Sequence, residues 1–513
     1  MVLVDKLTSF AIILLGVVLN LSVGEVMCAF LTALLTFFLL HITHNLFFHP
    51  LSHIPGPRLA AATHLYLTYH HFHGRLPFVL KLLHSHYGPV LRIAPNTLNF
   101  SSGTSLADIY GSSPHRKFFR KAPFYTNFDA GGNTNLNTET DVLKHRELKR
   151  LLGPSLSHRS VMGVEATVRR YVEVLVGGCG RLGAEEEGVE VTEVYTEFAF
   201  DLVADLVFGR RFESLETGKR HFWIKMLLEN VRFMILLNAL NKLFGISLRR
   251  IAATLPKFLL RDYYKTINFT TEVTQERITA LSTPSPTPPR ADLLTALLPS
   301  LLTASFPLPR VADNVQALVI GGTDTLSLFF SACTYFLCQY PSTQSRLLAE
   351  LRAEFKSAVE ITGERLEGEG CRYLNAVIRE TMRVLPPVAL PLPRVSPGET
   401  VDGVWVPEGT EVSTSFYAAA TDDGHFKDPM RFEPLRWLDP ETTDMLEASQ
   451  PLLLGPRHLT YLEMRLAIAR LVWEYEMQLV DRQRDWVNEN RLYAFWLKAE
   501  LRVRFKRRGA VGV

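Results

Sequence analysis

An acid and an alcohol stand side by side at Asp324 and Thr325, inside the apolar run "VIGGTDTLSLFFSACTYFL" that begins at Val319. A carboxylate and a hydroxyl in such a wall can hand protons to a molecule bound against them. Two adjacent glycines, Gly321 and Gly322, precede them. Each glycine in a helix interior costs about 1 kcal/mol relative to alanine, so the pair needs a reason. One reason is a bare backbone notch that lets a ligand approach closely. The other is a helix crossing that uses small residues, with Asp324 simply paired.

A second set of residues is organised by charge. Glu380 and Arg383, in "YLNAVIRETMRVLPPVALPLPR" from Tyr373, lie one helical turn apart and can pair on one face. Such pairs are common by chance, but this one has a distinctive context. Pro386-Pro387 ends the helix, and "FEPLRWL" supplies Arg436 from a proline-containing irregular stretch. A buried glutamate flanked by two arginines would lock that coil against the helix.

The elements that must position these groups are mostly helices. Helical patterning runs from about 140 to 280, interrupted by the acidic "GAEEEGVE" and closed by the loop "STPSPTPPR". It resumes from Leu293 to Phe355, with a break near Pro307 and Pro309. Alternation in "YGPVLRIAPNTLNF", Tyr87 to Phe100, predicts a hairpin or paired strands, and short strands are expected between Val388 and Ser413. The fold class is therefore mainly α with a small β region.

The N-terminus is apolar from Phe10 to Leu40, broken by Asn20 and Glu25. Val26 to Phe48 is long enough to cross a hydrocarbon core of about 30 Å. The earlier piece, Phe10 to Val23, reads as a second span or a signal-like segment. A cleaved signal peptide is the alternative, but no small-residue cleavage site precedes the longer run. Residues 1–48 are thus expected to be a membrane anchor of one or two spans, best placed at 26–48. The proline-rich hinge "HPLSHIPGPRL" follows at 49–59, and a globular body is expected to fill 60–513.

Fifty-five lysines and arginines against fifty-two acids leave a net charge of +3, which gives no case for nucleic acid. The five cysteines, Cys28, Cys179, Cys333, Cys338 and Cys371, are odd in number and none pairs as C-x-x-C. A disulfide framework is not expected, which points to a reducing compartment.

The order of these features resembles the cytochrome P-450 family of membrane-anchored haem-thiolate monooxygenases. The hinge, "YGPVLRIAPN", the "GGTDT" helix, E-x-x-R, "F-x-P-x-R-W" and "GPR…YLEMRLAIARL" appear in sequence from about residue 45 to 505. "NLFFHPL", "YLNAVI" and "QPLLLGPR" are similar to phrases of fungal secondary-metabolism members of the isotrichodermin-hydroxylase type. That resemblance implies the helical haem-thiolate fold, haem b as cofactor, and NADPH-derived electrons from a membrane-bound cytochrome reductase docking on the basic proximal face. It also implies a lipophilic small-molecule substrate, and residence in the endoplasmic reticulum membrane with the catalytic body in the cytosol.

By the same resemblance, Gly321, Gly322, Asp324 and Thr325 match the oxygen-binding groove and proton-delivery pair. Leu326 replaces a frequent second hydroxyl residue. Glu380, Arg383 and Arg436 match the structural triad, and Arg394 and Arg457 match arginines that contact haem propionates. His145 and Lys149, in "KHRELKRLL", match further propionate contacts.

One departure is large. After "GPR" the family pattern runs x-Cys-x-Gly-Lys-x-Leu-Ala, eight positions, whereas His458, Leu459 and Thr460 are all that separates Arg457 from Tyr461. The five lost positions (eight less three) contain the cysteine whose thiolate binds iron and favours O–O cleavage. His458 is the one nearby replacement ligand, and a solvent-exposed loop residue is its other reading. Three accounts follow: a misplaced splice boundary, since five codons keep the frame; an inactive relative that serves as a binding or scaffold protein; or a haem protein with a non-oxygenating reaction.

Overall fold

The computed structural model of the chain describes residues 22–111, 115–128, 133–245, 261–283, 292–297, 307–450 and 456–509. The apolar piece from Phe10, nearly all of the loop 282–290 and the approach 451–455 lie outside the described residues.

Helix α1 (Val23–Thr43) opens on a capping box: Ser22 Oγ accepts from the Glu25 amide, and the Glu25 side chain accepts from the Ser22 amide. Glu25, which interrupts the apolar run, is thus the N3 member of the capping box led by Ser22. A π-helical turn (His44–Phe48) continues it, and Val23–Phe48 together are apolar and long enough to cross a membrane, with a mean hydropathy of 2.2. The segment that follows docks on the body. Asn45 donates to Ala62 O at 3.0 Å, and Arg92 donates to Asn45 O at 2.8 Å. Gly56 passes so close to strand β1 (Val90–Ala94) that an added Cβ would stand 2.4 Å from Arg92 O.

The expected hairpin is β1 with β2 (Thr97–Phe100), paired antiparallel. It belongs to a five-stranded sheet that also takes in β3 (Arg120–Lys121), β5 (Arg394–Val395) and β8 (Glu411–Thr414), in the order β1-β2-β8-β5-β3. Within it β2 and β8 run parallel, whereas β5 is antiparallel to both β8 and β3. Strands β6 (Glu399–Val401) and β7 (Val404–Val406) form a separate hairpin. Three more strands pair in the order β4-β12-β9: β4 (Val189–Glu190), β9 (Tyr475–Leu479) and β12 (Arg502–Arg507). Strands β10 (Arg491–Leu492) and β11 (Trp496–Leu497) make a last short hairpin.

The expected helical stretch contains α2 (Val142–Leu152), α3 (Glu165–Leu182), α4 (Val191–Phe208), α5 (Phe222–Phe244) and α6 (Arg261–Ser282). The axis of the body is α7 (Leu308–Gln339), which starts at the proline break. Pro309, beside its start, lacks an N–H that the first turn would leave unbonded anyway. α7 is also apolar and long enough to span a bilayer, but its apolar window is 67% buried, which makes it a core helix. It crosses α4, which is buried along almost its whole length, and buried hydroxyls join the two: Tyr195 with Thr334 at 2.8 Å and Thr196 with Ser327 at 2.7 Å. Helix α8 (Arg372–Val384) ends just ahead of Pro386, and α9 (Arg457–Glu474) is buried through its middle and end.

Candidate active site

Gly321 and Gly322 point to different places. A Cβ at Gly322 would lie 2.9 Å from Val203 Cγ2, so this glycine serves the α4–α7 crossing. A Cβ at Gly321 would meet nothing within 4 Å. Ala317, Gly321 and Thr325, spaced four residues apart, form a half-buried stripe on a largely buried helix. The open notch expected from two glycines is therefore carried by Gly321, and the helix-crossing role by Gly322.

Thr325 sits on the open stripe, with its hydroxyl donating to Gly321 O at 2.6 Å and its oxygen left to accept. Asp324 is buried beside it. Lys498 Nζ donates to Asp324 Oδ1 at 2.9 Å, while Oδ2 has no hydrogen-bond partner. Lys498 follows β11, 174 positions away along the chain. Nothing in its local sequence, "FWLKAEL", marks it as the partner of an acid.

A cationic cluster stands beside the N-terminal half of α7. Lys121 and Arg394 are directly opposed partners of the β3–β5 ladder, although like charges so placed repel. Arg394 is buried; its contacts to Tyr125 Oη at 2.8 Å and Pro393 O at 3.2 Å both use Nη1. Lys121 donates to the carbonyls of Leu136 and Asn137 at 2.8 and 2.9 Å. Burial, and then Arg394, bring its ammonium down to about 7. On α2, His145 is pushed down to about 4 by burial, followed by Lys121, Lys149 and Arg394. The nearby Glu139 is already engaged by Arg310, Thr134 and the Asp141 amide. Among the described residues no carboxylate pairs with Lys121 or Arg394, and buried cations without a partner are costly. The arrangement asks for an anion. Sequence reasoning reached Arg394, His145 and Lys149 but missed Lys121, whose one signal is a lysine set among apolar residues in "FFRKAPFY".

Arg457 and His458 lie elsewhere. α9 begins at Arg457, with Pro456 at its N-cap and the Pro456 carbonyl accepting from the Thr460 amide at 3.1 Å. Both side chains are exposed in that first turn. The His458 ring meets His158 edge-on at 5.4 Å, and His158 in turn bonds Glu367 at 3.0 Å. His458 is thus a surface residue in contact with another surface histidine, which is no position for an iron ligand. Cysteine offers no substitute: burial pushes the thiols of Cys179, Cys333 and Cys371 up to about 12 and that of Cys338 higher still. Cys28 belongs to α1.

The charged triad assembles as read. Arg383 Nε and Nη2 donate to the two Glu380 oxygens, each at 2.8 Å, and Arg436 Nε donates to Oε1 at 3.1 Å. Trp437 Nε1 and the Glu433 amide complete the shell of the carboxylate, each at 2.9 Å. Arg383 also donates to Ala420 O and Pro429 O at 2.7 Å, fastening the coil to α8.

Comparison with known proteins agrees with this frame. Residues 54–503 match the family model described as Cytochrome P450. The chain is 33% identical over 481 residues to "Cytochrome P450 monooxygenase ORF9" of Penicillium roqueforti, covering 92% of each protein. It is 31% identical over 484 residues to "Trichothecene C-15 hydroxylase" of Fusarium sporotrichioides, covering 91% of this chain and 96% of that one. The crystal structure of the cytochrome P450DA heme domain shares its fold, with a TM-score of 0.65 at 16% identity over 81% of this chain and 89% of that one.

Proposed function

Since the chain belongs to the cytochrome P450 family, we propose that it is a monooxygenase-type protein that hydroxylates a lipophilic secondary metabolite. The observation that carries this reading is the match to fungal monooxygenases along more than nine-tenths of the chain. Haem, when bound, supplies an iron centre that activates dioxygen. Arg394, Lys121 and Lys149 would hold its carboxylates, and the bare backbone at Gly321 leaves room against α7. Asp324 and Thr325 hold and pass protons along that stripe, and Lys498 keeps the Asp324 carboxylate in place. The Glu380–Arg383–Arg436 triad fixes the coil beyond α8. Electrons come from NADPH through a partner reductase. α1 holds the protein in the endoplasmic reticulum membrane, the segment 49–59 acts as a short connector, and the body from residue 60 faces the cytosol.

A second reading, a relative that binds without oxygenating, is favoured by one observation: α9 starts at Arg457, and the sequence around that start holds no cysteine. Sequencing the transcript across the codons for Gly455 to Tyr461 separates the two. A Cys-x-Gly-Lys insert gives the monooxygenase its thiolate, whereas a direct His458–Leu459 junction supports the second reading. Where product forms, Asp324→Ala or Thr325→Ala should lower it and divert reducing equivalents to peroxide. Unchanged coupling of NADPH use to product would sink the proton-delivery roles.

A further inference from the structure

We propose that this chain binds a tetrapyrrole dicarboxylate through its carboxylate clamp alone, so that binding does not depend on the metal in the ring. The inference rests on the reading that the Lys121–Arg394 cluster is the site of the ring carboxylates, and goes beyond it in separating ring binding from iron ligation. Two halves of the site support it, because they have different fates in this sequence.

The half that would grip a ring by its acids is present in Arg394, Lys121 and Lys149, though without Arg457. Two cations oppose each other across a β-ladder, and a third, Lys149, adds its charge from α2. Among the described residues the carboxylate close to them, Glu139, is held by Arg310. Arg394 still has donors on Nε and Nη2, and an ammonium carries three hydrogens, of which Lys121 gives two to carbonyls. A dicarboxylate placed here gains charge-assisted hydrogen bonds and removes the repulsion between the opposed cations. The helix that frames the cluster is also the helix that bears the open stripe. Asn314 of α7 accepts from the Leu136 amide at 3.0 Å, and Leu136 O in turn receives Lys121. Seven residues further along the same helix is Gly321, with open space at its α-carbon.

The half that would grip the metal is missing. The first turn of α9 presents exposed Arg457 and His458, and the latter is turned to His158. No thiol is ionised near neutral pH in the body, since the four outside α1 are buried and protonated. Affinity must therefore come from carboxylates and the apolar wall, which are the same for a ring with or without iron.

The test titrates the purified full-length apoprotein in detergent with ferric protoporphyrin IX and with metal-free protoporphyrin IX, following absorbance and tryptophan quenching. Dissociation constants within about threefold of each other are expected. Arg394→Gln and Lys121→Gln should each weaken both rings at least tenfold, and Lys121→Arg should restore binding. A metal-free ring bound a hundredfold more weakly than the ferric one would overturn the proposal, as would a clamp variant that binds both unchanged. A carbon monoxide complex of the thiolate type would overturn it too, while leaving the monooxygenase reading intact. Failure of a folded chain, checked by near-ultraviolet circular dichroism, to bind either ring would remove the proposal and the carboxylate reading of the clamp together. The two-ring comparison uses the wild-type chain, so it stands even where a variant misfolds.

Discussion

The pairing of Asp324 with Lys498 can be measured directly. The Lys498 side chain is 9% exposed and that of Asp324 is 2% exposed, so each variant that removes one charge strands the other in the interior. Breaking a buried pair from one side costs about 3–5 kcal/mol, whereas replacing both partners with apolar residues is often close to neutral. Unfolding entropy of about 2.1 cal/mol/K per residue, taken over residues 54–503 (503 − 54 + 1 = 450), gives roughly 0.9 kcal/mol/K. Asp324→Leu and Lys498→Met should therefore each lower the melting temperature by about 3–5 °C. The double variant should recover most of that loss. Melting followed by circular dichroism at one fixed scan rate, on all four proteins, closes the cycle. Losses that simply add, or single losses below about 1 °C, would refute a coupled buried pair. The double variant has a further use: any product loss that persists once stability returns belongs to proton transfer and not to unfolding.

Four other outcomes follow from the geometry. Gly321→Ala should stabilise the fold by about 1 kcal/mol through helix propensity, while Gly322→Ala must displace Val203 and should melt earlier; a reversed order would refute the division of roles. Lys121 sits near 7 when free, and a bound dicarboxylate raises it, so binding takes up a proton above that pH. Ring affinity should then fall as pH rises from 7 toward 10, by up to about tenfold per unit, and Lys121→Met should flatten the profile in the same titration. Burial raises Glu463 to about 8, so the stability that its protonated form retains at pH 4.5 is lost as pH climbs to 8. Glu463→Gln should therefore raise the melting temperature at pH 8 and change it little at pH 4.5. Glu380→Gln leaves Arg383 and Arg436 buried around a neutral group and should cost about 3–5 kcal/mol, read as a lower melting temperature.

The parts of the site read correctly from sequence are those where chemistry is local or punctuated by proline. Glu380 and Arg383 share one helical turn, and Pro434 marks the coil that brings Arg436, so the triad is legible in the sequence. The hairpin at Val90–Phe100 followed from alternation around a tight turn. Contacts that depend on chain crossing were not visible. Lys498 reaches Asp324 through the placement of a short hairpin that no periodicity predicts, and Lys121 gains its meaning only from the register that sets it against Arg394. The two glycines looked alike in sequence because adjacent residues on a helix point about 100° apart, and only the position of α4 distinguishes them. Glu25 looked like a flaw in an apolar run until its backbone partner at Ser22 was seen.

The docking of the segment after α1 makes the long apolar helix a lever and not a tether. Asn45, at the end of that helix, is gripped by Ala62 and Arg92, and the Pro55 carbonyl receives the Arg92 amide at 2.8 Å. A flexible leash would let the body tumble at the bilayer surface, whereas here the turn of α1 about its own axis and the heading of the whole body are one degree of freedom. With α1 seated in a bilayer, the body would keep a constant bearing to the lipid, so that a hydrophobic molecule dissolved there would meet the same side of the protein at every encounter. Loosening the Asn45 grip, as Asn45→Ala would by removing its bond to Ala62 O, uncouples that heading without changing the length of the chain.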